Sequence, residues 1–364
     1  MNASLPTDKD AVPVSINKSV GVIIANWNGR QFLDTCLASL SAQTYPHVKI
    51  FIVDNGSTDD SISFLERNYP HITLIKNDSN LGFARANNIG IEAALQDDSI
   101  AYVALLNNDT EVDVRWLQEL VTSMEHKDAI GIVASKITNY THRTVIDSVG
   151  DFISSQSLQI RNRGNGEVDV GQYQESEEVF AASAAASLVR RKTLEDINIC
   201  NEYFDNDFGN YVEDVDLCVR ARLMGWLCWY APEARAYHIG SATSTKLSSS
   251  WKYRLTLRNR VLMAIKDFPL TYSFRMLFFC IVPTPHEVKS IIFMTIPWAN
   301  KFRRHPEKKP LVTFSFRTMI TIYLGGIFDA MFIVPTIIRK RHKIMSKRKI
   351  SDSVIRRWFM RFSS

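Results

Sequence analysis

The chain has 364 residues, 46% hydrophobic and 11% aromatic, which is enough to bury a sizeable core and excludes wholesale disorder. Its five cysteines (Cys36, Cys200, Cys218, Cys228, Cys280) include no C-x-x-C pair, which argues against a disulfide framework or a zinc knuckle and suits a reducing compartment. The net charge of +5 is uneven: residues 339–364 hold ten Lys or Arg against Asp352, and +5 less that tail's +9 leaves the body at −4.

Residues 1–18 are polar, with no charged-then-apolar leader, and read as an extension to a domain expected in the cytosol. From there, apolar runs at 20–25, 49–53, 72–75 and 102–106 are expected as strands buried on both faces. Helix-spaced apolar residues lie between them at 31–43, 59–69 and 84–95. This alternation implies parallel βαβ units, an α/β class with a mainly parallel sheet flanked by helices. Such sheets bind ligands at the carboxyl ends of their strands. Those ends are oxygen-rich: Asn26-Trp27-Asn28, Asp54-Asn55-Gly56-Ser57, Asn77-Asp78 and Asn107-Asn108-Asp109.

Asp109, at a strand tip, could help a substrate diphosphate hold a hard cation. Glu111 and Asp113 are expected to open a helix ending near Glu125. Asp54 ends the second strand; helix capping explains Ser57 to Asp59 but leaves Asp54 free for a base imide or a ribose hydroxyl. Residues 162–171, rich in Gly and polar side chains, are expected as a mobile loop. Glu213, Asp214 and Asp216 begin a helix reaching about Met224. Arg220 accounts for Asp216 as an i, i+4 partner, leaving a carboxylate that could serve as a general base. His238 follows a short strand at 228–230 and a Pro-Glu turn; a lone histidine is usually structural.

Beyond Trp251 the composition shifts. Residues 276–283, 291–298 and 318–338 are apolar and aromatic. The first two runs are too short to span a bilayer, and the third approaches spanning length but contains Gly325, Gly326, Asp329 and Pro335, so interfacial or re-entrant helices are expected, with a true span and an ordinary helical domain as the alternatives. Trp358, Phe359, Met360 and Phe362 among the tail's arginines point to an anionic membrane surface.

Taken in order, VIIANWNGRQFLDTCLASL, VDNGSTDDS, NDSNLGFARANNIG, LLNNDTEV, YVEDVDLCVRAR, YHIGSATS and LRNRVLMAIKDFP resemble the inverting family 2 glycosyltransferases of GT-A (Rossmann-like) fold. The likeness covers about residues 20–268, and within the family the pattern is nearest to rhamnosyltransferase-like enzymes of bacterial surface polysaccharides. It implies that Asp54 contacts the base, that Ala25, Asn26 and Asn28 line the nucleotide pocket, and that Asn80, Arg85 and Asn87 lie along the donor site. Asn107, Asn108 and Asp109 stand at the family's D-x-D motif, where Asp109 and His238 would hold Mg²⁺ or Mn²⁺. Asp214 matches the catalytic base, with Glu213 beside it on the acceptor side. One departure is Asn107, which replaces the motif's first acid and removes one negative charge.

The resemblance divides the chain into a donor-binding half (19–110), an acceptor-binding half (111–268) and a C-terminal helical membrane-associating region (269–364). It implies a nucleotide-diphosphate sugar donor, first dTDP-L-rhamnose and next UDP-hexoses or UDP-HexNAc. The acceptor would be a polyprenyl-diphosphate-linked or free glycan at the cytoplasmic face of the inner membrane. A nucleotidyltransferase would open with a Gly- and Arg-rich phosphate loop, where ANWNGRQF offers one Gly. A nucleic-acid partner is not expected, because the acidic strand tips repel phosphate.

Overall fold

A ten-stranded sheet carries the molecule, in the order β3 (Thr73–Lys76), β2 (Val48–Asp54), β1 (Ser19–Asn26), β4 (Ile100–Leu106), β11 (Ala186–Arg190), β6 (Ile130–Asn139), β12 (Leu227–His238) and β10 (Glu177–Val179), with two short strands paired off this path. The structure, a computed structural model, describes residues 18–153, 160–240, 249–281 and 316–362; nearly all of the expected extension and the apolar run 291–298 lie outside them. Strands β1 (Ser19–Asn26), β2 (Val48–Asp54), β3 (Thr73–Lys76) and β4 (Ile100–Leu106) are parallel, as the apolar runs imply. Having no polar face, these strands need helices on both sides. Val22 and Ile24 of β1 join one core with α1 (Arg30–Ser41), α2 (Ser61–Asn68) and α4 (Trp116–Glu125). Ile23 joins the opposite core with α3 (Phe83–Leu95), α5 (Arg191–Ile197) and α6 (Glu213–Leu223).

The expected α/β sheet flanked by helices is present, and beyond β4 it becomes mixed: β11 (Ala186–Arg190) runs antiparallel between β4 and β6 (Ile130–Asn139), a direction that apolar periodicity does not encode. Three expectations need correction. Glu111 opens no helix; it lies in β5 (Thr110–Val112) opposite Tyr237. Helix α4 begins at Trp116, after a turn in which Asp113 accepts the Arg115 N–H at 3.0 Å. The Pro232-Glu233 turn is instead an irregularity inside β12 (Leu227–His238), where pairing with β6 slips between Ala231 and Arg235. Proline has no N–H for the ladder, and a bulge accommodates it. The loop at 162–171 is tied down, because Lys136 reaches Asp169 at 2.5 Å and Arg163 reaches Glu177 at 2.8 Å.

The C-terminal helices are α7 (Ser249–Asp267), α8 (Leu270–Ile281), α9 (Phe316–Lys347) and α10 (Asp352–Arg361). Val261, Ile337, Ile344, Ile355, Trp358 and Phe362 belong to the same core as α3 and α6, so residue 268 is not a core boundary. The tail's aromatics face protein: Trp358 and Phe362 meet the Phe180 ring at 6.0 and 5.9 Å, and Phe359 stacks on Tyr272 at 4.9 Å, leaving Met360 exposed. An amphipathic helix has the same sequence pattern whether it covers lipid or protein. Much of the tail's charge is also engaged, Lys349 with Asp196 and Arg361 with Glu178.

Helix α9 differs. It is long and apolar enough to cross a membrane, and only 22% of its most apolar window is buried. Leu324, Phe328, Met331 and Phe332 are exposed. Gly325 lets it close on α7, since a Cβ there would lie 2.8 Å from the Arg254 guanidinium, which in turn clamps Asp329 at 2.6 and 2.7 Å.

Candidate functional site

The strand tips form one hydrogen-bonded edge. Register places Asn26 opposite Asp54. Asp54 is fully buried: one carboxylate oxygen accepts the Asn26 amide at 2.9 Å and the other accepts the Ser57 N–H at 2.9 Å. The Asn26 carbonyl in turn accepts Asn108 Nδ2 at 2.8 Å. Gly29 makes room for this chain, since a Cβ there would sit 2.1 Å from Asn108 Nδ2. Asn28, in the left-handed region at φ 49°, accepts the Thr58 N–H at 2.7 Å, and Ala25 is half-buried beside it. Asn80 and Asn87 satisfy local backbone, with Asn80 accepting the Gly82 N–H and Asn87 donating to the Phe83 carbonyl, each at 2.9 Å. Arg85 is exposed.

Pairing of β12 with β5 sets His238 opposite Thr110 and so brings it to Asp109. His238 Nε2 lies 3.3 Å from Asp109 Oδ1 and 3.3 Å from Asn107 Nδ2, while Nδ1 lies 2.9 Å from Asp147 Oδ2. Burial alone would lower the imidazole pKa, but bonding to Asp109 and Asp147 prevails and raises it to about 9. The buried Asn107 Oδ1 has no partner among the described residues. A carboxylate, an imidazole and an orphaned amide oxygen suit Mg²⁺ or Mn²⁺. Among the described residues no group of three His, Cys, Asp or Glu side chains converges at metal distance, so a bound diphosphate would have to complete the shell. Asp147 escapes sequence reasoning because it is one acid in a three-residue strand, β7 (Ile146–Ser148). It holds the far side of the ring, as second partners of metal-binding histidines do.

A cavity of about 260 Å³ is lined by Asp151, Ser183, Glu213, Asp214, Arg260 and Met276 among others. Asp214 lies in the first turn of α6, where its carboxylate accepts the Ala184 N–H at 3.2 Å and the Val215 N–H at 2.8 Å. Burial raises its pKa, against the pull of those donors. Burial, and then the charge of Asp214, pushes Glu213 and Asp151 further up, well above the carboxylate range. Among the described residues, Glu213 Oε2 and Asp151 Oδ1 have no hydrogen-bond partner. Asp216 is paired as expected, to Arg220 at 2.9 Å and to Lys266 at 2.5 Å.

The turn before Asp214 is strained. Tyr211 and Val212 both have left-handed φ, 69° and 70°, which a β-branched residue rarely adopts. Asn259 explains how the turn persists: fully buried, its amide points at the carbonyls of Phe208, Asn210 and Tyr211 at 2.7–2.9 Å. Arg258 holds the carbonyls of Asp207 and Phe208. From the other side, α3 supplies the Ala84 N–H to the Gly209 carbonyl at 2.9 Å, and Phe83 N–H to Asn210 Oδ1 at 3.1 Å. The NLGFARANN segment, expected only along the donor, therefore also grips the loop that carries the acid. The sequence contained a signal for this, the unassigned RNR of LRNRVLMAIKDFP.

The model of glycosyl transferase family 2 matches residues 21–197. An uncharacterized glycosyltransferase of Haemophilus influenzae is 33% identical over 32% of this chain and 36% of its own length. The N-acetylglucosaminyl-diphospho-decaprenol L-rhamnosyltransferase of Mycobacterium tuberculosis is 26% identical over 60% of this chain and 75% of its own. A crystal structure of GalNAc-T7 with UDP, GalNAc and Mn²⁺ superposes with a TM-score of 0.56 at 15% identity, over 86% of this chain and 55% of that one. The first two curated relatives are matched over only about a third of their length, 36% and 30%.

Proposed function

We propose that the chain, whose residues 21–197 match the model of glycosyl transferase family 2, is an inverting hexosyltransferase of GT-A fold with Asp214 as its general base. The observation that carries this is the placement of Asp214: a carboxylate of raised pKa in a cavity, at the end of a strained and braced turn. An acid that gives up its proton less readily also holds a substrate proton better, which is what a general base requires.

Asp214 takes the proton of an acceptor hydroxyl as that oxygen bonds to the anomeric carbon. The bond from that carbon to the diphosphate breaks on the opposite face, the nucleoside diphosphate leaves with the electron pair, and the configuration inverts. Asp54, with Ala25, Asn26, Asn28 and Asn108, holds the nucleoside; Asn80, Arg85 and Asn87 lie along the donor. Asp109 and His238, joined by Asn107, would hold the Mg²⁺ or Mn²⁺. Once bound, that ion supplies Lewis-acid neutralisation of the leaving diphosphate. Glu213 flanks the base on the acceptor side.

Likeness to the mycobacterial enzyme supports dTDP-L-rhamnose as donor and a polyprenyl-diphosphate-linked glycan as acceptor, with UDP-hexoses and a free glycan as alternatives. The apolar face of α9 supports attachment to a membrane, which this reading takes to be the inner membrane at its cytoplasmic side. The test is a panel of nucleotide sugars scored for binding and slow hydrolysis, with and without chelator. One donor bound and hydrolysed only with Mn²⁺ or Mg²⁺ is expected; full activity in chelator would remove the metal, and no bound nucleotide sugar would remove the activity.

A further inference from the structure

Helix α7 carries three arginines close to the site, and two have evident work. Arg254 clamps Asp329 at 2.6 and 2.7 Å, and Arg258 donates to the Asp207 and Phe208 carbonyls at 2.8 and 2.9 Å. Arg260 is half-buried in the wall of the Asp214 cavity and, among the described residues, makes no hydrogen bond or ion pair. Thr256 and Met263, at helical spacing on either side of it, line the same cavity, so this face of α7 is turned toward the space beside the base. A guanidinium removed from much of its water without a counter-charge is costly to maintain, and its planar fork suits phosphate.

Three carboxylic acids line the cavity with it, yet Arg260 pairs with none of them. Burial pushes Asp151 and Glu213 well above the carboxylate range, which reduces the competing negative charge. The donor-side cluster takes no part in these walls: Asn26, Asp54, Asp109 and His238 are all absent from the lining. With the donor's polar contacts assigned to those strand tips, an anion at Arg260 is assigned to the acceptor, and loss of donor binding in an Arg260 variant would return it to the donor.

We propose that Arg260 is the acceptor-phosphate residue: the cavity takes a phosphorylated glycan, seating its phosphate on Arg260 while the attacking hydroxyl meets Asp214. This rests on Asp214 being the base and narrows the acceptor from any glycan to a phosphorylated one. The phosphate has two sources, a lipid-linked diphosphate or a soluble sugar phosphate.

The experiment compares the full chain with Arg260→Gln and Arg260→Lys, using dTDP-L-rhamnose or whichever donor the panel selects. Three acceptors are used: an alkyl-diphosphate-linked N-acetylglucosamine, N-acetylglucosamine 1-phosphate, and an octyl N-acetylglucosaminide without phosphate. Arg260→Gln is expected to lower kcat/KM by about 10- to 100-fold for the phosphorylated acceptors, the scale of a lost charge-assisted hydrogen bond. Arg260→Lys should recover part of that loss. Donor affinity, donor hydrolysis and transfer to the neutral glycoside should stay within about twofold, which also verifies folding. If the wild type uses only the diphosphate-linked acceptor, the lipid carrier is the source; if it uses both phosphorylated acceptors, the phosphate alone suffices. Equal loss on all three acceptors, loss of donor binding, or no loss would each overturn the assignment. Failure of the wild type to bind or hydrolyse any nucleotide sugar would instead defeat the glycosyltransferase reading beneath it.

Discussion

The donor edge and the acceptor cavity lie in one fold but treat their polar groups in opposite ways. At the edge the groups satisfy one another: Asn108 bonds Asn26, Asn26 bonds Asp54, and Asp54 takes a backbone N–H. In the cavity they are left open: among the described residues Asp151 and Glu213 each keep an orphaned oxygen and Arg260 has no partner, and Tyr211 and Val212 occupy strained backbone. The edge is therefore assembled in advance, and under the proposed function a nucleotide would meet it preformed. The cavity holds its reactive groups apart, and bracing from α3, α7 and α9 offsets the cost.

That bracing is where the comparison is most easily broken. Lys340 of α9 reaches Glu202, Asp205 and Asp207, at 2.8, 2.5 and 2.8 Å, just before the strained turn. Lys340→Met should cost about 3–5 kcal/mol, because it strands buried acids. Burial alone would raise the Asp205 pKa, but Lys266 and Lys340 hold it well below the ordinary range. Its stabilising contribution is thus complete above about pH 3.9, its unfolded value, and is lost as pH falls through the depressed folded value. The deficit of the variant, followed by thermal melting, should be full near neutrality and shrink in acid; a deficit independent of pH would disconnect Lys340 from Asp205.

At the donor edge, Asp147→Asn should weaken Mn²⁺ binding in the presence of nucleoside diphosphate by about 10- to 100-fold, the usual effect of removing the partner that orients a metal-binding histidine. Calorimetric titration measures it, and unchanged affinity would mean His238 is not a ligand. The smallest effect concerns strain. Val212→Gly should raise stability by about 1 kcal/mol, relief of left-handed backbone exceeding the entropy glycine adds to the unfolded chain. It should also lower kcat as the turn loosens. Unaltered stability would mean the turn is not strained.

These two regions were unequally legible in the sequence. The first four strands, their polar tips and the Asp216–Arg220 pair follow from periodicity and spacing, because residues near in sequence make them. The cavity draws Asp151, Asp214 and Arg260 from three segments, 63 and 46 residues apart along the chain, each a single polar residue with no local pattern. The tail misled for a related reason: Trp358 and Phe362 sit on an amphipathic helix, and sequence does not say that Phe180 covers it. Strand direction at β11 is invisible to the same signals.

The central claim, that Asp214 is the base while the donor edge binds independently of it, is tested most directly by Asp214→Asn. Transfer rate and nucleotide-sugar affinity should be measured on the same preparation. We expect transfer to fall by about 10²- to 10⁴-fold, the range of general-base catalysis, with donor affinity held within a few fold. Retained transfer, or donor binding lost in parallel, would contradict the account.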